Sequence, residues 1–128
     1  MKKKIFILIL LLSFSFISCE KKEEQNLDIN VVGRVTNQND VGIENVTIFI
    51  QRGKTGNYSA TVFEQYQTIT TNSYGIYNYL VKNDGYNYKV CCGIPSGYSM
   101  DGENCTNVNN SIINSNTILN TINFKLTE

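Results

Sequence analysis

The sequence predicts an all-β domain: a single Greek-key-like β-sandwich of about seven strands over residues 28–128. Three observations carry this. Segments such as 29–36, 46–50 and 76–81 set apolar residues at alternate positions, the period of a strand. Clusters of Asn, Asp, Ser and Gly separate those segments, as turns require. Helix formers are scarce past residue 28, where Ala60 is the only alanine, while eight Tyr and six Phe supply aromatics for a β core. A chain of 128 residues holds one ordinary domain and can bury roughly two-thirds of its unfolded surface.

The elements follow in order. Ile29–Thr36 is the first strand and 37–42 a turn cluster. Residues 46–50 form the second strand, with Val46, Ile48 and Ile50 on one face, and 52–58 is a glycine-containing loop. A long third strand, 61–71, runs into 70–79, which reads as a hairpin around which the other strands are arranged. Asn72 and Ser73 can bond their own backbone to start the turn, and Gly75 can take positive φ to leave it. Ile76–Val81 carries bulk on both faces, which places it centrally in its sheet. Asp84-Gly85 is the strongest short hairpin signal in the chain, and the return strand 86–92 puts Tyr86, Tyr88, Val90 and Cys92 on one face. Residues 93–103 form a loop with the only proline, 108–113 holds a weak strand, and 118–126 is the last strand, with Ile118, Ile122, Phe124 and Leu126 sharing a parity.

Four stretches now stand in sequence: Gly33-Arg34-Val35-Thr36, Gly42 to Ile48, Thr70 to Tyr77, and Gly85 to Val90. Together they resemble the carboxypeptidase regulatory-like family, with its transthyretin-like (prealbumin-like) seven-stranded sandwich. The similarity covers most of residues 30–95. It implies a non-catalytic accessory or spacer module of a secreted protein. Asn72 stands where the family often has Asp, and the insertion around 53–60 and the cysteine-bearing loop depart from the pattern.

The first 18 residues have the layout of a secretory signal: Lys2-Lys3-Lys4, then an unbroken apolar run from Ile5 to Leu12, then serines among apolar residues. The apolar run is short for a stable membrane span. Ile17-Ser18-Cys19 resembles a bacterial lipobox, with Phe16 in place of the usual Leu. That resemblance implies cleavage before Cys19, acylation of its sulfur, and a charged tether over 19–27. Several buried methylenes per chain, at about 0.8 kcal/mol each, would hold such a terminus in a membrane. Lys22-Glu23-Glu24 also resembles the lysine-plus-acidic signal that exports some Bacteroidota lipoproteins to the cell surface. The expected location is the outer membrane. The plain alternative is an ordinary signal peptide followed by a coincidental cysteine.

The whole chain has 11 basic and 11 acidic residues; losing Lys2, Lys3 and Lys4 with the leader leaves eight basic against eleven acidic, a net of about −3. No basic stripe remains for phosphate contacts, so no nucleic-acid partner is expected. Beyond Cys19, three cysteines remain in an exported domain where disulfides persist. One bond is expected, between Cys105 and either Cys91 or Cys92, pinning a loop with little apolar content of its own. Cys91 is favoured because an outward sulfur reaches a surface loop, leaving Cys92 as a small buried hydrophobe.

With no histidine, the common Ser/His and Cys/His arrangements are impossible. No cofactor or metal is expected: the cysteine spacing does not match four-ligand zinc patterns, and 101–104 lacks the spacing of a calcium loop. A glycosidase pair would have to combine Glu64 with Asp101 or Glu103, and scattered solvated charges are the simpler reading. A Lys–Asn isopeptide bond would draw on Asn123 and Glu64, but the first strand offers Arg34 and no lysine. Tyr58, Tyr74 and Tyr98, in loops, are candidate contacts for a glycan or an envelope protein, with edge-of-core packing as the plain alternative. The expectation is therefore a non-enzymatic lipoprotein that serves as a structural or interaction module, or alternatively as a glycan-binding accessory protein.

Overall fold

The computed structural model describes residues 28–56, 60–109, 113–114 and 117–128. These form nine strands: β1 (Ile29–Thr36), β2 (Thr47–Gly53), β3 (Glu64–Thr70), β4 (Ile76–Val81), β5 (Asn87–Cys92), β6 (Cys105–Asn107), β7 (Ile113–Asn114), β8 (Thr117–Thr121) and β9 (Phe124–Lys125). One sheet has the order β4-β1-β8-β7, with β9 continuing along β1 beyond β8. The other has the order β3-β2-β5-β6 and is antiparallel throughout. The all-β sandwich is as expected from the alternation, with short extra strands at the C-terminal side.

The core lies between the sheets. Ile29, Val31 and Val35 of β1 face Ile48 and Ile50 of β2, Val90 and Cys92 of β5, and Ile118, Ile122, Phe124 and Leu126 near the C-terminus; all are buried. Those are the parities read from the sequence. Asn120 shares the inward parity and is also buried. Its side chain accepts from Asn109 N–H at 2.7 Å and donates to the Asn109 carbonyl at 2.6 Å, tying the segment after β6 to the opposite sheet.

Two expected hairpins are corrected. Thr70 ends β3 in one sheet and Ile76 opens β4 in the other, so the 70–79 turn crosses between sheets. The Asp84-Gly85 turn likewise carries β4 over to β5 in the opposite sheet. The turn chemistry itself is as read: Asn72 Oδ1 accepts from Tyr74 N–H at 3.0 Å and Ile76 N–H at 2.9 Å, and Gly75 has φ 74°. Thr71 pulls the chain out of its sheet. Its buried hydroxyl donates to the Ile43 carbonyl and accepts from Val46 N–H, while its backbone N–H donates to the Val46 carbonyl. Local residues dictate that the chain reverses; this distant stitching to the β1–β2 connection dictates where it goes.

β4 is also an edge strand and not a central one. Its outer face is open, with Ile76 45% and Leu80 56% exposed, while Tyr77 and Val81 point into the core. The bulk on both faces misled because an edge strand of a sandwich tolerates apolar residues outside, where they are only partly covered.

The last strand is broken at Ile122–Asn123 into β8 and β9, both parallel to β1. At the break the Asn123 side chain replaces a backbone acceptor, taking Arg34 N–H at 2.9 Å. The Ile122 carbonyl accepts from the Tyr77 hydroxyl, which reaches it across Gly33. A Cβ on Gly33 would lie 1.8 Å from that carbonyl oxygen and 2.5 Å from the tyrosine oxygen, so β1 needs glycine there.

Candidate functional site

The strand directions give the sandwich two ends. The chain enters at Asp28 beside Ile29, which pairs with Val81 and Ile118; the short 82–86 connection brings Asn87 and hence Gly53 to the same end. The opposite end collects the 37–46 connection, the 71–75 turn and the 93–104 loop.

Each residue singled out in the sequence can now be placed. Cys91 of β5 and Cys105 of β6 are ladder partners and form a disulfide, and Cys92 is free and buried on the other face of β5. Burial pushes the Cys92 thiol up to about 11. Tyr74 is 69% exposed on the 71–75 turn, and its carbonyl accepts from Arg34 Nε at 2.9 Å. Tyr98 lies on the 93–104 loop and donates to Glu128 Oε1 at 3.1 Å, which, with partial burial, raises its phenol pKa. Cys19 and Tyr58 lie outside the described residues.

The carboxylates of the hypothetical glycosidase pair stand apart. Glu64 opens β3 at the Asp28 end, whereas Asp101 and Glu103 are exposed on the loop at the other end. Among the described residues no group of three or more Cys, Asp or Glu side chains is positioned to hold a metal ion. The Asn123 carboxamide repairs the strand break beside Arg34, whereas Glu64 opens β3 at the Asp28 end, so the two residues considered for an isopeptide bond are not brought together; Lys125 donates to Asp40 at 2.9 Å. That ion pair is exposed on both sides; the Lys125 hydrogen bond holds the Asp40 carboxyl below its ordinary range.

A cluster of cations and tyrosines sits at the Asp28 end, by edge strands β3 and β4 of the two sheets. Arg52 follows Ile48 and Ile50 at the inward parity of β2, opposite Tyr88 and Glu64 on the flanking strands. Its Cζ lies 4.0 Å from the Tyr66 ring centroid and 4.7 Å from that of Tyr86. Lys54 Nζ lies 4.5 Å from the Tyr86 centroid. Cations over ring faces are attracted by the ring quadrupole, by about 0.5–1 kcal/mol where exposed. Tyr66 meets Tyr88 edge-on at 6.2 Å, and the Tyr88 hydroxyl donates to both Asp84 oxygens at 3.1 and 3.2 Å. Burial, then that bond to Asp84, push the Tyr88 phenol up to about 12; burial and the Tyr66 hydroxyl raise Tyr79 on β4. Among the described residues neither Arg52 nor Lys54 has a carboxylate or hydrogen-bond partner. Toward β6, Thr61, Phe63, Asn87, Tyr88, Asn107 and Val108 line an open crevice of about 290 Å³.

Sequence reasoning missed this cluster. It saw Tyr86 and Tyr88 sharing a face but did not extend the parity of Ile48 and Ile50 to Arg52, where a cation at an inward position was the available signal.

No family model matches the chain, and no curated protein matches it. Solved structures do. A Streptococcal ancillary pilin superposes with a TM-score of 0.54 and 17% identity, over 80% of this chain and 33% of that one. The shaft pilin SpaA of Lactobacillus rhamnosus GG gives 0.53 and 13%, over 79% of this chain and 48% of that one. At these identities the likeness is one of fold, and this chain spans a third to a half of the pilin chains it matches.

Proposed function

We propose that this chain is a non-enzymatic, membrane-anchored lipoprotein of the cell envelope whose sandwich serves as a structural or protein-interaction module. The observation that carries the reading is the polarity of the sandwich. The chain emerges from residues 19–27 at the Asp28 end, so an acylated Cys19 would place that end toward the membrane and turn the Tyr74 end outward. The outward end carries the exposed Tyr74 and the 93–104 loop, which the Cys91–Cys105 bond braces. Tyrosine offers apolar area with a polar tip, which suits a protein interface. The pilin-like fold is compatible with a surface module built from such sandwiches. The carboxypeptidase regulatory-like motifs and the lipobox-like Ile17-Ser18-Cys19 support the same assignment.

The test is the intact mass of the chain extracted from its native membrane, with and without reductant. The expected product starts at Cys19 with a diacyl- or triacylglyceryl increment, and a photo-crosslinker at Tyr74 captures an envelope protein. A lipid-free chain cleaved elsewhere would overturn the anchor and with it the orientation. The second reading, a glycan-binding accessory protein, draws on the Arg52 cluster.

A further inference from the structure

We infer that Arg52, Lys54 and the tyrosines around them form a binding site for an acidic saccharide, a sugar with one carboxylate among several hydroxyls. The inference deepens the second reading above and holds whether or not the chain is anchored. The starting point is how the guanidinium is held. Two rings lie against it, with its Cζ 4.0 Å from the Tyr66 centroid and 4.7 Å from the Tyr86 centroid. The rings hold the guanidinium in place, and its fork of N–H donors has no acceptor among the described residues. A fixed guanidinium edge matches the two oxygens of a carboxylate. Lys54, 4.5 Å from the Tyr86 centroid, places a second cation beside the first.

The acids nearby decide the class of ligand. Asp84 sits in the same cluster, its carboxylate accepting from the Tyr88 hydroxyl, and Glu64 stands across the ladder from Arg52. A polyacidic peptide would set its repeated carboxylates against these two. A sugar has one carboxylate for the Arg52 edge and hydroxyls that donate to Asp84, so both signs in the cluster find a complement. The cluster lies between two edge strands and is open to solvent at Tyr66, which is 37% exposed, leaving room for a ligand ring.

The experiment is a titration of the full-length chain in detergent, labelled at arginine, following the Arg52 Nε–Hε resonance by NMR. The probes are a galacturonosyl-galactose disaccharide, which carries one carboxylate, the neutral galactose disaccharide and a hexaglutamate peptide. The monoacidic disaccharide is expected to give a saturable shift, with the neutral sugar at least about tenfold weaker, equivalent to ~1.4 kcal/mol. Arg52→Gln and Arg52→Lys both weaken binding, the latter because an ammonium lacks the planar fork, and Tyr74→Ala at the other end binds as wild type. Lys54→Gln, at an exposed position, weakens binding without disturbing the fold. No saturable shift, or equal binding of the neutral sugar, overturns the inference; preference for hexaglutamate overturns it in favour of a protein ligand. An unacylated chain that still binds the galacturonosyl-galactose disaccharide separates this result from any failure of the anchor.

Discussion

Replacing Tyr77 by Phe tests the device that closes the broken C-terminal strand. The substitution removes one oxygen and leaves the buried ring in place, so no sizeable cavity opens. What it loses is the hydroxyl that reaches the Ile122 carbonyl across Gly33, the only one to do so among the described residues. A buried acceptor left without its donor costs about 1–3 kcal/mol. For a domain of this size each kcal/mol moves Tm by roughly 4–8 °C, so a fall of roughly 4–24 °C is expected. Urea unfolding of the full-length oxidised chain should show a lower midpoint with an unchanged slope, since the surface exposed on unfolding is the same. Tyr74→Phe, at an exposed ring, is the control and should not move. A Tyr77→Phe loss below about 0.5 kcal/mol would refute the reasoning, because the carbonyl would then have another partner. Gly33→Ala should cost more than Tyr77→Phe, and adding Tyr77→Phe to it should not rescue the fold. The nearest atom to the new Cβ, at 1.8 Å, is the backbone carbonyl and not the tyrosine. Rescue by the double substitution would make the ring the true obstacle.

Reducing the Cys91–Cys105 bond, which closes a loop with a sequence separation of 14, should lower unfolding free energy by about 3 kcal/mol, read as a shift of the urea midpoint. Cys92 should resist iodoacetamide in the native chain and react once the chain is unfolded without reductant. Its thiol rises from an ordinary 9.0 to about 11 on folding, so its contribution is complete below pH 9 and lost as pH climbs toward 11; Cys92→Ala should flatten that part of the alkaline stability profile. Asn72→Ala, which strips the shared acceptor of Tyr74 and Ile76 N–H, should cost about 1 kcal/mol in the same assay, while Asn72→Asp keeps the oxygen and should sit near wild type. Lys125→Ala should leave the thermal midpoint unchanged, because its partner Asp40 is fully solvated.

The parts of the fold legible in the sequence were those set by neighbours along the chain. Ile29–Thr36 was read with its observed bounds, and the inward parities of Val46, Ile48, Ile50, Tyr88, Val90 and Cys92 all hold, because period-two burial is a local property of a strand. The turn at Asn72–Gly75 was legible for the same reason: the side-chain acceptor and the positive-φ glycine lie within four residues. Strand partners were not legible. Whether β3 pairs with β4 depends on Thr71 bonding to Ile43 and Val46, more than twenty residues upstream, and nothing in 70–79 records that. β6 was missed inside a polar stretch because its pairing is fixed by the Cys91–Cys105 ladder position and not by its own alternation. The Arg52 cluster depends on three strands meeting at one end, so single-strand reasoning could reach only one of its members at a time.

That difference bears on where function sits in this molecule. The well-read strands make the core, and the core positions everything else without contacting a partner. The residues that sequence alone did not bring together are those placed by long-range pairing: Arg52 opposite Tyr88, Tyr66 on the neighbouring edge strand, and Asp84 on the crossing turn. In a sandwich whose two edge strands on this side belong to different sheets, the gap between them must be filled by side chains and not by hydrogen-bonded backbone. Aliphatic residues would fill it more cheaply. The gap is filled instead with tyrosines, a turn aspartate and a partly buried arginine, and among the described residues Arg52 receives no acceptor in return. A polar cluster that stabilises the sandwich less well than Leu or Val would is best accounted for by what it can bind. Arg52→Leu makes that argument concrete. It should raise or preserve the unfolding midpoint, as the apolar side chain packs against the Tyr66 and Tyr86 rings, while abolishing the response to the galacturonosyl-galactose disaccharide. A sharp loss of stability would instead show that the cation–ring stacking is structural, and would remove the ground for assigning it to a ligand.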